Sequence, residues 1–251
     1  MPSRKFIADG PNLYGKYLNG SIKWAELTHS TELGEIYSGG YLPYSGDTMD
    51  SRHLFYMARS LRVDLDRFSL DKKRRYQQKE WAGFGLQRVL LSKVEFLEIY
   101  GSEMMELAYL WMEPRFGEAS LARDRFTYIL SKPYLNSILT WQDAGELVAF
   151  ALLARGSWGA HYWYVFYRNG TGVPSAPGHG YLVDFVDWVR SENLPHAYLG
   201  TTYATKSHYK SRGIRGISFW DGESWNENKA ELAILRESDE KLSNSELLSS
   251  T

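Results

Sequence analysis

ELVAFALLARGSWGAHYWYVFYRNGTGVPSAPGHGYLVDFVDWVRSENLPHAYLG, residues 146–200, is the stretch on which the fold turns. ELVAFALLA at 146–154 is apolar at nearly every position, the pattern of a strand covered on both faces. HYWYVFY at 161–167 follows a Gly-Ser-Trp-Gly turn, so the two runs form an antiparallel hairpin in the centre of a sheet. A loop with Gly178 and Gly180 then precedes a helix that carries Leu182, Phe185, Val186 and Val189 on one face, and AYLG at 197–200 supplies a further strand. Strands alternating with a covering helix place the chain in the α/β class.

Upstream, RSLRVDLDRF at 59–68 alternates Leu61, Val63 and Leu65 with Arg62, Asp64 and Asp66, the period of a half-buried strand. GGYLPYSGD at 39–47 has the punctuation of strands joined by turns. Asp71 caps a helix that opens with Lys72, Lys73, Arg74 and Arg75 and continues to Lys79, a basic patch suited to phosphate. Met104, Leu107, Ala108 and Trp111 form the stripe of a core-facing helix expected to end before Pro114. These signals divide the chain into a β-rich N-terminal region (1–80), an α/β domain (81–228) and an acidic, mobile tail (229–251).

Composition narrows the function. The chain has 251 residues, 43% hydrophobic and 24% charged, enough to bury a core without staples. It has no cysteine, which excludes a disulfide scaffold, a cysteine nucleophile and a Cys-ligated metal or iron–sulfur site. No metal site is expected, since His29, His53, His161, His196 and His208 show no ligand spacing. With 29 basic against 30 acidic side chains the net charge is -1, no footprint for gripping long nucleic acid by charge alone. The first residues lack a secretory apolar run and no stretch is long enough to span a bilayer, so a cytoplasmic protein without a membrane partner is expected. A G-x-S-x-G elbow and a Walker loop are missing, which sets aside hydrolase and triphosphatase readings.

VFYRNG at 165–170, GHGYLVDFVDWVRSENLPHAYLG at 178–200, KSHYK at 206–210 and GISFWDGESW at 216–225 together resemble arginyl-tRNA–protein transferases and their bacterial leucyl-transferring relatives. GYLPYSGDTMDSRHLFYMARSLRVDLDRFSLDKKRR at 40–75 and YLWMEPRFG at 109–117 resemble the family's N-terminal segment and middle helix more loosely. The resemblance covers most of residues 37–225. It implies a GNAT-like acyltransferase domain beside a smaller β-rich N-terminal region. It also implies transfer of an amino acid, arginine or leucine, from charged tRNA to an amine of a protein N-terminus, peptide or small molecule. Two departures stand out: DSRHLFYMARS at 50–60 lacks the family's clustered cysteines, and Thr201, Thr202 and Tyr203 replace aromatic residues after Gly200, where acceptor choice is made.

Such a reaction needs alignment, a proton path and oxyanion donors, but no cofactor, because aminoacyl-tRNA is the activated co-substrate. The candidate catalytic residues are His179 as proton relay, Asp184 one turn into the helix, and Tyr164 and Tyr167, expected to share one strand face. Gly178, Gly180, Tyr198, Gly200, Thr201, Thr202 and Tyr203 are candidates for binding the aminoacyl or acceptor group. Lys206, Tyr209 and Lys210 match the family's K-x-x-Y-K and, with Arg59, Arg62, Arg74 and Arg75, are expected to contact tRNA. Ser175 stands at the first position of a coenzyme A-type loop, and Pro177 removes one donor from it, so an acyl-coenzyme A N-acyltransferase is an alternative. A non-catalytic tRNA- or peptide-binding relative is another.

Overall fold

The computed structural model describes residues 4–8, 22–45, 51–116, 119–168, 177–203 and 205–249. Its strands are β1 (Arg4–Ala8), β2 (Ile22–Glu26), β3 (Tyr41–Pro43), β4 (Leu54–Met57), β5 (Ser60–Asp64), β6 (Ser69–Leu70) and β7 (Gln87–Ser92) in the first half. The second half adds β8 (Ser137–Asp143), β9 (Glu146–Gly156), β10 (Gly159–Tyr167), β11 (His196–Thr201), β12 (Ile214–Arg215), β13 (Ile217–Trp220) and β14 (Trp225–Asn226). The helices are α1 (Leu33–Ser38), α2 (Lys72–Ala82), α3 (Lys93–Phe116), α4 (Ala119–Ser131), α5 (Pro177–Ser191) and α6 (Lys229–Ser249).

An eight-stranded mixed sheet, in the order β14-β13-β5-β11-β10-β9-β8-β7, forms the centre, and a four-stranded sheet, β1-β2-β4-β3, stands beside it. This is the expected α/β architecture, with the β9–β10 hairpin in the middle of the large sheet. The apolar run of β9 is buried on both sides because each face has its own helical cover. Ala149, Ala151 and Leu153 meet Leu182, Phe185 and Val186 of α5, whereas Phe150 and Leu152 meet Phe96, Met104, Met112 and Phe126 of α3 and α4. Asp71 caps α2 as anticipated, accepting the Arg74 N–H at 2.8 Å.

Four expectations need correcting. First, β5 lies inside the large sheet, paired to both β11 and β13, so residue 80 is not a structural boundary. Second, the stretch taken for a mobile tail is α6, and it is anchored by Arg236 and Asp239, which are 3% and 2% exposed. Third, α3 runs on through Pro114 to Phe116; the proline forfeits one backbone hydrogen bond of the last turn but leaves only two further residues of the helix to hold. Fourth, Tyr164 and Tyr167 face opposite sides. They stand three residues apart, an odd separation, and Tyr167 packs with the α5 cluster while Tyr164 packs with the α3 cluster.

β10 and β11 form the parallel pair, matched only at Ala160↔Ala197 and His161↔Tyr198. Beyond that point both strands are irregular. β10 shifts register against β9 between Tyr162 and Tyr164, and β11 shifts against β5 between Tyr198 and Gly200. A bulge sharpens local twist and re-aims side chains, so both Trp163 and Tyr164 turn to the α3 side.

Candidate active site

Where β10 and β11 part, a cleft of about 310 Å³ opens. Its floor is His161, Trp163, Tyr164, Gly200 and Thr201. Tyr209 and Lys210, at the end of the 3-10 turn Thr205–Lys210, close one side. The small sheet supplies the opposite wall through Leu42, Pro43, Tyr44 and Tyr56. The N-terminal region is therefore part of the site.

Two cations line this cleft, Arg125 of α4 and Lys210. The Lys210 Nζ donates to the carbonyls of Leu199 and Thr201, both at 3.0 Å, on the strand segment past the last β10–β11 pair. An ammonium has three donors, so one N–H is left for a bound group. Burial, then the Arg236 charge, push Lys210 down to about 8. His161 faces it across Gly200. Its Nδ1 is 2.9 Å from the hydroxyl of Tyr37, and burial together with the Lys210 charge pushes the imidazole down to about 3. His161 is therefore neutral at physiological pH and serves as a hydrogen-bonding wall, too weak a base to store a proton.

Gly200 makes this proximity possible. It has a φ of +75°, and a Cβ there would stand 3.5 Å from Lys210 Nζ and 3.8 Å from His161 Nε2. Tyr162 lies at the same strand irregularity; its ring packs at a tilt against Phe185 of α5, centroids 4.9 Å apart, and its buried hydroxyl has no hydrogen-bond partner among the described residues. Burial raises that phenol well above its usual range, so it is a protonated donor.

A second cavity, of about 480 Å³, lies between α2 and α5 and is lined by Arg74, Trp81, Phe84, His179, Gly180 and Val183. Gly180 is glycine for packing reasons: a Cβ there would fall 2.1 Å from the Trp81 ring. Burial, then the Arg74 charge, push His179 down to about 4, and contact with the Tyr209 main chain opposes them. Tyr209 thus lines the cleft while its main chain meets His179 of the second cavity.

No family model matches the sequence, and no curated protein does. Among solved structures the chain is similar to the C-terminal domain of a putative lysylphosphatidylglycerol synthetase from Agrobacterium fabrum, at 14% identity over 71% of this chain and 62% of that one, TM-score 0.43. It is similar to L-PGS from Bacillus licheniformis, at 15% identity over 82% and 69% of the two chains, TM-score 0.43. It is also similar to FemX, at 11% identity over 93% and 74%, TM-score 0.45. The chain spans less than two thirds of the first of these structures, and none of the likenesses goes beyond the path of the backbone.

The residues anticipated from sequence fall into three groups. Tyr164, Gly200, Thr201, Tyr209 and Lys210 meet at the cleft, although Lys210 is turned onto β11 rather than outward. His179, Gly180 and Arg74 meet at the second cavity, with Gly178 beside the Tyr167 hydroxyl and Arg75 exposed on the same helix as Arg74. The rest are occupied elsewhere. Asp184 accepts from Trp141 Nε1 at 2.6 Å and pairs with Arg88 at 3.2 Å. Arg59 is 2% exposed and bound to Asp239, so it offers nothing to RNA. Arg62 lies over the Trp225 ring at 4.2 Å, and Tyr198 is 2% exposed in the core. Thr202 is wholly buried beneath Arg236, and the Tyr203 hydroxyl accepts the Arg59 N–H at 3.3 Å. Ser175 and the side chain of Lys206 lie outside the described residues.

Sequence reasoning missed His161, Tyr37 and Tyr162. HYW at a hairpin's start carried a signal only in hindsight of the bulge, since Tyr37 reaches His161 from 124 residues away. Among the described residues no cluster of His, Asp and Glu could hold a metal ion, and no helix is long and apolar enough to cross a membrane.

Proposed function

We propose that the protein is an aminoacyltransferase that moves an amino acid from charged tRNA to an amine, with the β10–β11 cleft as the transfer site. The observation that carries this reading is Lys210, a cation held at the cleft floor with one N–H to spare. In the reaction the acceptor nitrogen attacks the ester carbonyl carbon. The new C–N bond forms, the C–O bond to the terminal ribose breaks, and the amine's proton ends on the departing ribose oxygen. Charge develops on the carbonyl oxygen in between, and a preorganised Lys210 N–H is the donor that meets it. Neutral His161 and protonated Tyr162 offer polar contacts that do not compete for the proton.

The second cavity suits the donor's terminal nucleotide, with Arg74 for phosphate and the aromatic rings of Trp81 and Phe84 for the base. The basic turn of α2 continues outward from it, which gives the rest of the acceptor stem a place to lie. The sequence resemblance favours arginine or leucine as the transferred group and a protein N-terminus, peptide or small-molecule amine as acceptor.

The test uses purified protein, tRNA charged with a labelled amino acid mixture, and pools of peptides, proteins and small amines. Acceptor-dependent transfer of one label supports the reading. Charged tRNA that binds without transfer would instead favour a binding protein, and saturable coenzyme A binding with no tRNA binding would favour an acyl-coenzyme A enzyme.

A further inference from the structure

α6 reaches the cleft from behind. Arg236 Nε donates to Thr202 Oγ1 at 2.8 Å, its Nη2 donates to the same oxygen and, at 3.1 Å, to Ser211 Oγ. Thr202 Oγ1 is also 3.0 Å from Ser207 Oγ. One guanidinium therefore joins the end of β11, the 3-10 turn Thr205–Lys210 and the turn after it. Beside it, Asp239 holds Arg59 through two hydrogen bonds of 2.6 and 3.0 Å, and the Arg59 carbonyl accepts the Thr202 N–H at 2.8 Å.

From this geometry we infer that Arg236 is a positioning residue of the transfer site: by clamping Thr202 and Ser211 it fixes the Thr205–Lys210 turn over the cleft and sets the place and charge state of Lys210. The inference rests on the proposed transfer site only for its catalytic consequence. Its physical content is independent of any reaction. Lys210 shares the cleft with His161 and Tyr162 on β10, Tyr209 on its own turn and the cation Arg125 on α4, and Arg236 lies behind it on α6; His161 is neutral, the Tyr162 phenol is protonated, and Arg236 is the charge that acts on the Lys210 ammonium. Its like charge disfavours the ammonium and adds to the effect of burial.

The experiment follows the Lys210 Cε resonance by NMR in full-length protein labelled at the lysine Cε carbon, assigned by its loss in Lys210→Arg. In the parent the titration midpoint lies near 8. In Arg236→Gln it moves up toward the ordinary lysine value of about 10.4, and in Arg236→Lys, which keeps the charge but not the fork, it stays close to the parent. Thr202→Val keeps the guanidinium and removes its anchor, so the Lys210 resonance broadens or shifts while Arg236 remains charged. A folded Arg236→Gln with an unchanged Lys210 midpoint overturns the inference. If Arg236→Gln does not fold, an unperturbed Lys210 resonance in Thr202→Val does so. Aminoacyl transfer assayed in parallel separates the two ideas: a moved midpoint without transfer by the parent protein leaves this inference standing and removes the proposed reaction.

Discussion

Gly200 and Lys210 are fitted to one another: the position a Cβ would take on Gly200 lies 3.5 Å from the lysine Nζ, and the glycine's φ of +75° turns its backbone around that ammonium. Any side chain at 200 adds backbone strain and crowds the one free N–H. Gly200→Ala should therefore cost roughly 1–2 kcal/mol of stability. It should also lower transfer more than tRNA binding. Thermal unfolding and filter binding, run beside the transfer assay, check this; equal losses in binding and transfer would contradict it.

Lys210→Met removes the proposed oxyanion donor while keeping the length of the side chain. Loss of one such donor lowers kcat by about 10²- to 10³-fold, with KM for charged tRNA little changed. In the parent, the rate should fall as pH rises through about 8, where Lys210 loses its proton. A pH–rate profile that stays flat from neutral to alkaline conditions would remove the ammonium from the mechanism.

Acid should destabilise the fold through two imidazoles. His161 is held down to about 3 and His179 to about 4, whereas both take a proton near 6.5 once unfolded. From about pH 6.5 downward the unfolded chain binds more protons than the native one, so stability falls with pH, by about 1.4 kcal/mol per unit for each histidine. The loss continues until the folded values are reached. His161→Gln should flatten this slope in urea unfolding at pH 7, 6 and 5, although Tyr37 then needs the glutamine amide as partner.

The Arg59–Asp239 pair is buried on both sides, with side chains 3% and 2% exposed. Asp239→Asn removes this carboxylate charge from a buried guanidinium and should cost about 3–5 kcal/mol. Arg75→Ala, on the exposed face of α2, should leave stability within about 0.5 kcal/mol. Denaturant midpoints for the two variants measure the contrast.

Gly180→Ala places a methyl against the Trp81 ring, so α2 and α5 must move apart. Overpacking of this kind costs about 1–3 kcal/mol. It should also deform the cavity between those helices and weaken binding of charged tRNA, which a binding isotherm would show.

How far the sequence could be followed depended on the range of the interactions. The β9–β10 hairpin, α5 and β5 were legible because their signals are local: eight consecutive apolar positions at 147–154, or Leu61 and Val63 in alternation. The two cavities were half legible, through Gly200, Lys210 and the α2 basic turn. What could not be seen was who partners whom. Arg59 has the appearance of a surface cation until Asp239 closes on it from 180 residues away, and His161 appears as an isolated histidine until Tyr37 arrives. α6 failed as an expectation for a related reason. Its helix is polar along most of its length, and among its described residues Leu232 buries together with Arg236 and Asp239, two charged side chains that no hydrophobic pattern announces.

The contact between Arg59 and Asp239 also sets an order of events during synthesis. Strand β5 is made long before α6, so Arg59 precedes the aspartate that pairs with it by most of the chain. Until residue 239 is made and α6 docks, Arg59 lacks this aspartate and Thr202 lacks its clamp. Under the proposed function, competence arrives only once α6 has docked, and a chain made short of residue 239 is spared a half-formed catalyst.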